Sequence, residues 1–170
     1  MATENKISMK MRIASFFTVI LLLGIDQLIK YFVDLYLKGS SAIVVIKNVL
    51  QLNYLENDGA MMGFMGGKTK LMTILAVICV IVMLIVIFFG LIKNRIDYWC
   101  CLLMISGGLG NIIDRIFRGY VIDYIEVLFI DFYIFNFADC LITCSAFFLI
   151  FYQIYLIYKE TKTKKAGENH

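Results

Sequence analysis

The chain has 170 residues, 61% of them hydrophobic and 17% charged, with a net charge of +3. Soluble domains average about 45–50% apolar residues, so a water-soluble globule is excluded and an integral membrane protein is implied, of a size for a single membrane domain over residues 1–170. The small positive charge, with no basic stripe interleaved with aromatics, argues against nucleic acid as a partner.

Four segments are long and apolar enough to cross a bilayer, which takes about 20 residues of helix. The first is expected at about 13–37. It has a basic start and an apolar centre, like a signal peptide, but it contains Asp26 and Lys30 and lacks a small-residue cleavage site. It therefore reads as a retained span. The connection that follows includes "SAIVVIKNVLQLNYLEN", β-branched and partly alternating, which predicts short strands at the membrane surface. The second span is expected at about 71–92 and is free of charge. The third is expected at about 98–117. The next connection, from Arg118 to Phe135, mixes aromatics with Asp123, Glu126 and Asp131 and predicts an amphipathic loop at the interface. The fourth span is expected at about 136–158, with a polar, frayed tail over 162–170.

Basic residues set the orientation. Lys6, Lys10 and Arg12 precede the first span, Lys93 and Arg95 link the second and third, and Lys159, Lys162, Lys164 and Lys165 follow the fourth. By the positive-inside tendency these short segments and both termini are cytoplasmic. Lys38, Lys47, Lys68, Lys70, Arg115 and Arg118 run against the rule, but at lower density.

That topology carries the intramembrane polar residues to one depth, near the outer face. Asp26 and Lys30 share a helix face at i, i+4. Asn111 and Arg115 share another, with Asp114 one residue off it. Asn57 comes from the first outer connection and Asp123 from the second. Asn136 and Asp139 begin the fourth span. An ionisable residue inside a membrane is expensive unless partnered, and so marks a functional site or a structural ion pair. Gly107, Gly108 and Gly110 suit close helix packing. Asp123 and Asp139 have apolar neighbours and no cationic partner nearby in sequence. Two carboxyls sharing a partly dry place cannot both ionise easily, and a pair holding one proton suits acid–base hydrolysis. A proton relay through Asp26, Asp114 and Asp139, and a scaffold whose polar cluster fixes helix packing, are the alternatives.

The five cysteines, Cys79, Cys100, Cys101, Cys140 and Cys144, fall in apolar runs and read as small apolar fillers. The only histidine is the terminal His170, which argues against His-based zinc sites and His-assisted nucleophiles. No metal and no cofactor are expected.

Four motifs, "DQLIK" (Asp26 to Lys30), "NDGAMMGF" (Asn57 to Phe64), "GGLGNIIDRIFRGYVIDY" (Gly107 to Tyr124) and "FNFAD" (Phe135 to Asp139), occur in that order. In them the chain resembles bacterial lipoprotein signal peptidase, or signal peptidase II, over nearly its whole length. The resemblance implies an all-α integral membrane fold of four transmembrane helices with a small extracytoplasmic β element. It implies an aspartyl endopeptidase in the cytoplasmic membrane, both termini cytoplasmic. Such an enzyme cuts diacylglyceryl-modified prolipoproteins on the N-terminal side of the lipidated Cys. Membrane lipid and the lipidated substrate are then its partners, and a monomer is expected. Asp123 and Asp139 take the catalytic positions. Asp26, Lys30, Asn57, Asn111, Asp114, Arg115 and Asn136 shape the site or bind substrate, and Gly108 and Gly110 permit close approach. One departure is Met62, where the family often carries an aromatic residue.

Overall fold

The computed structural model describes residues 7–59, 69–130 and 133–168. Its elements run α1 (Met9–Leu37), β1 (Ile43–Ile46), β2 (Leu50–Asn57), α2 (Thr69–Phe88), α3 (Arg95–Phe117), β3 (Val121–Val127) and α4 (Phe137–Glu168). All four helices are long and apolar enough to cross a membrane, and the chain is a multi-pass membrane protein. Large apolar side chains such as Phe16, Leu21, Ile78 and Phe147 are exposed along the helices, as lipid-facing surfaces require.

Local chemistry sets the helix ends. Ser8 caps α1 by accepting a hydrogen bond from the Met11 amide at 3.2 Å, and Asn94 caps α3 by accepting one from the Ile96 amide at 2.9 Å. The buried face of α1 runs Asp26, Lys30, Val33, Leu37, a helical spacing. It is polar in its first half and apolar in its second. Val33 and Leu37 pack against Ile122 and Tyr124 of β3.

The central helix is α3. Half of its most apolar window is buried, against 6% in α2 and in α4. Its glycines make this possible by facing different neighbours. A Cβ on Gly107 would collide with the Ala138 carbonyl oxygen and lie 2.8 Å from Ile142 Cγ1 on α4. One on Gly108 would meet Val80 Cγ2 of α2 at 2.8 Å, and one on Gly110 would meet the Asp26 carboxylate of α1. Gly107→Ala is therefore expected to lower the melting temperature of the detergent-solubilised protein. The backbone of α4 must yield, at about 1–3 kcal/mol for overpacking, which exceeds the ~1 kcal/mol that alanine gains in helix propensity. Gly108→Ala, which meets only a valine methyl, should cost less in the same melt.

The sheet is antiparallel, in the order β1-β2-β3. Between Leu52↔Ile125 and Leu55↔Asp123 the register slips: β2 advances three residues while β3 advances two. This bulge puts Asn57, paired with Val121, on the same face as Asp123. Unbulged pairing would have turned Asn57 to the opposite face, because side chains alternate with a period of two.

Strands were expected in the first connection, and β1 and β2 lie there. The second connection differs from the expected amphipathic loop. It contributes β3, buried from Val121 to Tyr124. A strand covered on both faces has no polar side, so its apolar run does not alternate as a surface segment would. Gly119, at φ +83°, takes the left-handed conformation that turns the chain from α3 into β3. The tail also differs: α4 continues as helix through Glu168, because Lys, Glu and Ala are good helix formers. Met62 and Asp131 lie outside the described residues.

Candidate active site

Where α1 ends, α2 and α4 begin and α3 ends, the bundle holds a buried polar network beneath the sheet. Lys30 is fully buried, as are Asp26, Asp114, Asp123 and Asn136 to within about a percent of exposure. Lys30 Nζ lies 2.9 Å from Asp26 Oδ2 and 2.8 Å from Asp114 Oδ2, and it donates to Asn111 Oδ1 at 3.1 Å. One cation therefore neutralises two carboxylates taken from different helices. Gln27 extends the cluster, its amide nitrogen lying 3.2 Å from Asp26 Oδ2, 3.3 Å from the Gly110 carbonyl and 3.2 Å from Asp114 Oδ1. Arg118 Nε approaches Asp114 Oδ1 at 3.7 Å.

Three asparagines carry this network to the two remaining carboxylates. The oxygen of each amide accepts a hydrogen bond, which aims its NH2 group. Asn111 Oδ1 receives Lys30 and Asn136 Nδ2, the latter at 3.2 Å, so Asn111 Nδ2 donates to Asp139 Oδ1 at 2.7 Å. Asn57 Oδ1 receives the Gly59 amide at 3.0 Å, so Asn57 Nδ2 donates to Asp123 Oδ2 at 2.7 Å. Asn136 Oδ1 receives the Asp139 amide at 3.0 Å, so Asn136 Nδ2 donates to Asp123 Oδ1 at 2.6 Å.

Asn136 also fixes the start of α4. Its amide donates to Asp139 Oδ2 at 3.2 Å while its side chain accepts from the Asp139 amide. This reciprocal capping box satisfies two otherwise unpaired amides and holds Asp139 in the first turn, where the helix dipole favours negative charge. Asn136 thus touches Asp123 and Asp139 at once and ties β3 to α4.

The two carboxylates sit in unlike places. Asp123 is 1% exposed, whereas Asp139 is half-buried. Burial, and next the negative charge of Asp139, push the Asp123 carboxyl up to about 6, against the hydrogen bonds from Asn57 and Asn136 and the charge of Lys30. Arg115 is half-buried, with its Nε shielded from solvent and without a hydrogen-bond partner among the described residues. Its charge acts on Asp139, Asp123 and Asp114. Beside it a cleft of about 450 Å³ opens between the start of α2 and the end of α3, lined by Thr69, Lys70, Thr73, Ile74, Arg115 and Gly119.

Asp26, Lys30, Asn57, Asn111, Asp114, Asp123, Asn136 and Asp139, singled out from the sequence, therefore form one connected network. Gly110 lets Asp26 approach α3, and Arg115 acts through its charge. Gly108 belongs to the α2 contact instead. Gln27 and Tyr124, whose hydroxyl accepts from the Phe137 amide at 3.2 Å, were not foreseen. Gln27 had a signal, since it lies three residues before Lys30 and so shares its helix face. Tyr124 had none. Among the described residues no group of three His, Cys, Asp or Glu side chains is arranged to hold a metal ion.

Known proteins share this plan. The family described as signal peptidase (SPase) II matches residues 18–155. The lipoprotein signal peptidase of Streptococcus thermophilus (strain CNRZ 1066) is 38% identical over 136 residues, covering 78% of this chain and 86% of the relative. That of Clostridioides difficile (strain 630) is 36% identical over 155 residues, covering 86% and 96%. A bacterial membrane enzyme solved by the in meso method at 1.9 Å superposes with a TM-score of 0.76 at 27% identity, over 89% of this chain and 97% of the other. A second, solved at 2.3 Å, gives a TM-score of 0.73 at 26% identity, over 84% and 88%. With the family match spanning the bundle from α1 to α4 and relatives aligned over most of their length, the chain belongs to the signal peptidase II family.

Proposed function

We infer that the protein is an aspartyl endopeptidase that removes signal peptides from diacylglyceryl-modified prolipoproteins, cutting on the N-terminal side of the lipidated Cys. The observation that carries this reading is the pair Asp123 and Asp139, delivered by β3 and α4 and bridged by Asn136. One proton shared between two neighbouring carboxyls suits acid–base hydrolysis. Asp123, the more deeply buried, keeps it and polarises the scissile carbonyl. Asp139, reachable by water, takes a proton from the attacking water. Asp123 then stabilises the oxyanion, and the proton held by Asp139 passes to the leaving amine. Water attacks directly, so no acyl-enzyme forms. Asn57, Asn111 and Asn136 position the dyad. Asp26, Lys30 and Asp114 brace Asn111, and Arg115 faces the substrate. The carbon-rich cleft beside Arg115 suits an apolar portion of a lipidated substrate.

The protein works as a monomer and a single membrane domain in the bacterial cytoplasmic membrane. Both termini are cytoplasmic, because Lys10, Arg12, Lys93, Arg95, Lys159, Lys162 and Lys164 all lie at the bundle end opposite the sheet. The test is cleavage of a diacylglyceryl-modified prolipoprotein by purified protein in detergent, beside the unlipidated precursor. Cleavage of the lipidated form alone is expected; indifference to the lipid counts against the substrate assignment. In the same assay kcat/KM should fall as pH rises through about 6. The acid form of Asp123 is fully present below that value and is lost above it. A profile flat from pH 5 to 8 would remove Asp123 as the acid.

A further inference from the structure

Asp123 reaches the dyad on a sheet, so something must hold the sheet still over the helices. Part of the hold is apolar: Val33 and Leu37 against Ile122 and Tyr124. The rest is a polar cluster on the same side of the sheet, outside the buried network. The Tyr54 hydroxyl lies 2.8 Å from Asp34 Oδ1 and 3.0 Å from Glu56 Oε1. Lys38 Nζ donates to Glu56 Oε1 at 2.8 Å, sits 3.8 Å from Asp34 Oδ1, and rests 5.5 Å from the centre of the Tyr54 ring. Tyr120, just before β3, lies close enough to act electrostatically on both Tyr54 and Glu56. Asp34 and Lys38 belong to the last turn and cap of α1, Tyr54 and Glu56 to β2.

The location matters more than the number of bonds. Glu56 immediately precedes Asn57, which donates to Asp123. Glu56 pairs with Ile122, and Leu55 with Asp123 itself. Tyr54 lies inside the bulge that turns Asn57 to the dyad face. The same helix that holds Lys30 in the buried network thus grips β2 two turns later, beside the catalytic strand. A solvated ion pair such as Lys38–Glu56 adds about 0–1 kcal/mol of stability, so stability alone gives this cluster little purpose. A displacement of ~1 Å at a reacting group, by contrast, costs up to ~100-fold in rate.

We propose that Tyr54, with Glu56, Lys38 and Asp34, is a positioning latch that sets the sheet on α1 and thereby places Asp123 and Asn57 against Asp139. The idea rests on the peptidase reading of the dyad. Tyr54→Phe removes the hydroxyl and keeps the ring. Combined with Glu56→Gln, it should lower kcat roughly tenfold with KM within about twofold. Lys38→Glu should behave likewise, and the swap Lys38→Glu with Glu56→Lys should recover most of the rate. A merely structural role would not show that recovery at unchanged melting temperature. Amide hydrogen exchange is followed in the same proteins. Peptides from β2 and β3 should exchange several-fold faster in the single-sided variants, with α3 and α4 unchanged.

Wild-type cleavage with undiminished kcat in Tyr54→Phe/Glu56→Gln would overturn the latch, and so would a rise in KM at constant kcat, which would make these groups substrate contacts. A wild type that cleaves no lipidated precursor would instead sink the peptidase reading. The exchange measurement then judges the latch by itself, and unchanged protection of β2 and β3 in the variants would end it.

Discussion

Asp139→Asn is expected to leave a folded protein that no longer cleaves lipidated precursor, with kcat down ~10²–10⁴-fold, the range for loss of a general base. The fold should survive because the capping box needs only one oxygen at this position, and the NH2 that then faces the Asn111 amide sits on a half-buried side chain that water can reach. The Asn136 amide can still donate to the new side chain, and the Asn136 oxygen still accepts from the backbone amide of residue 139. Asp123→Asn should remove activity to a similar degree but with a larger loss of stability. As at Asp139, both oxygens accept hydrogen bonds, here one from Asn57 and one from Asn136, but Asp123 is buried to 1% exposure and water cannot replace a lost partner. An amide NH2 must then face one of those donors, leaving a buried pair unsatisfied at about 1–3 kcal/mol. Kinetics on the lipidated substrate and a melt of each variant read the two effects separately. Near-wild-type turnover by either variant would dismiss the dyad. Equal melting temperatures would contradict the asymmetry of their surroundings.

Lys30→Met should be the most damaging single change to stability. It removes the cation that contacts Asp26 and Asp114 and leaves two carboxylates in a dry interior with, among the described residues, only Gln27 and the distant Arg118 as partners. Breaking one side of a buried ion pair costs about 3–5 kcal/mol, which corresponds to a melting temperature roughly 10 °C lower for a chain of this size. Neutralising the carboxylates as well, in Lys30→Met/Asp26→Asn/Asp114→Asn, should restore much of the melting temperature, because the penalty lies in the uncompensated charge. Activity should recover less. Asn111 keeps only the 3.2 Å bond from Asn136 on its oxygen, and its grip on Asp139 depends on that oxygen being held. Recovery of stability and rate together would show that Lys30 serves only charge balance. A single variant as stable as wild type would mean that water reaches the network.

The sequence by itself determined the solvent and the layout. Runs of apolar residues of spanning length require helices, because a lipid-exposed backbone must satisfy its own hydrogen bonds. The four helices stand where those runs stand, and α1 pairs Asp26 with Lys30 as their spacing dictates. Rare charged residues in an apolar chain could be read as a site because each needs a partner, and five of them do meet, with three asparagines, in one network. The β-branched first connection forms strands for the same local reason.

Only the tertiary structure decided the rest. That VIDYIEV is a strand buried over its first four residues depends on what covers it, and covered and surface segments of seven residues look alike in one dimension. The extra residue in β2 that turns Asn57 toward Asp123 has no sequence signature, since a bulge is defined by the partner strand. Asn136 can be seen as a cap before Asp139, but its second bond, to Asp123, exists because β3 passes over the start of α4. Spacing along one helix fixes which side chains share a face. Contacts between residues separated by dozens of positions are fixed by packing, and in this protein glycines on α3 set how closely α1, α2 and α4 bring their share of the site.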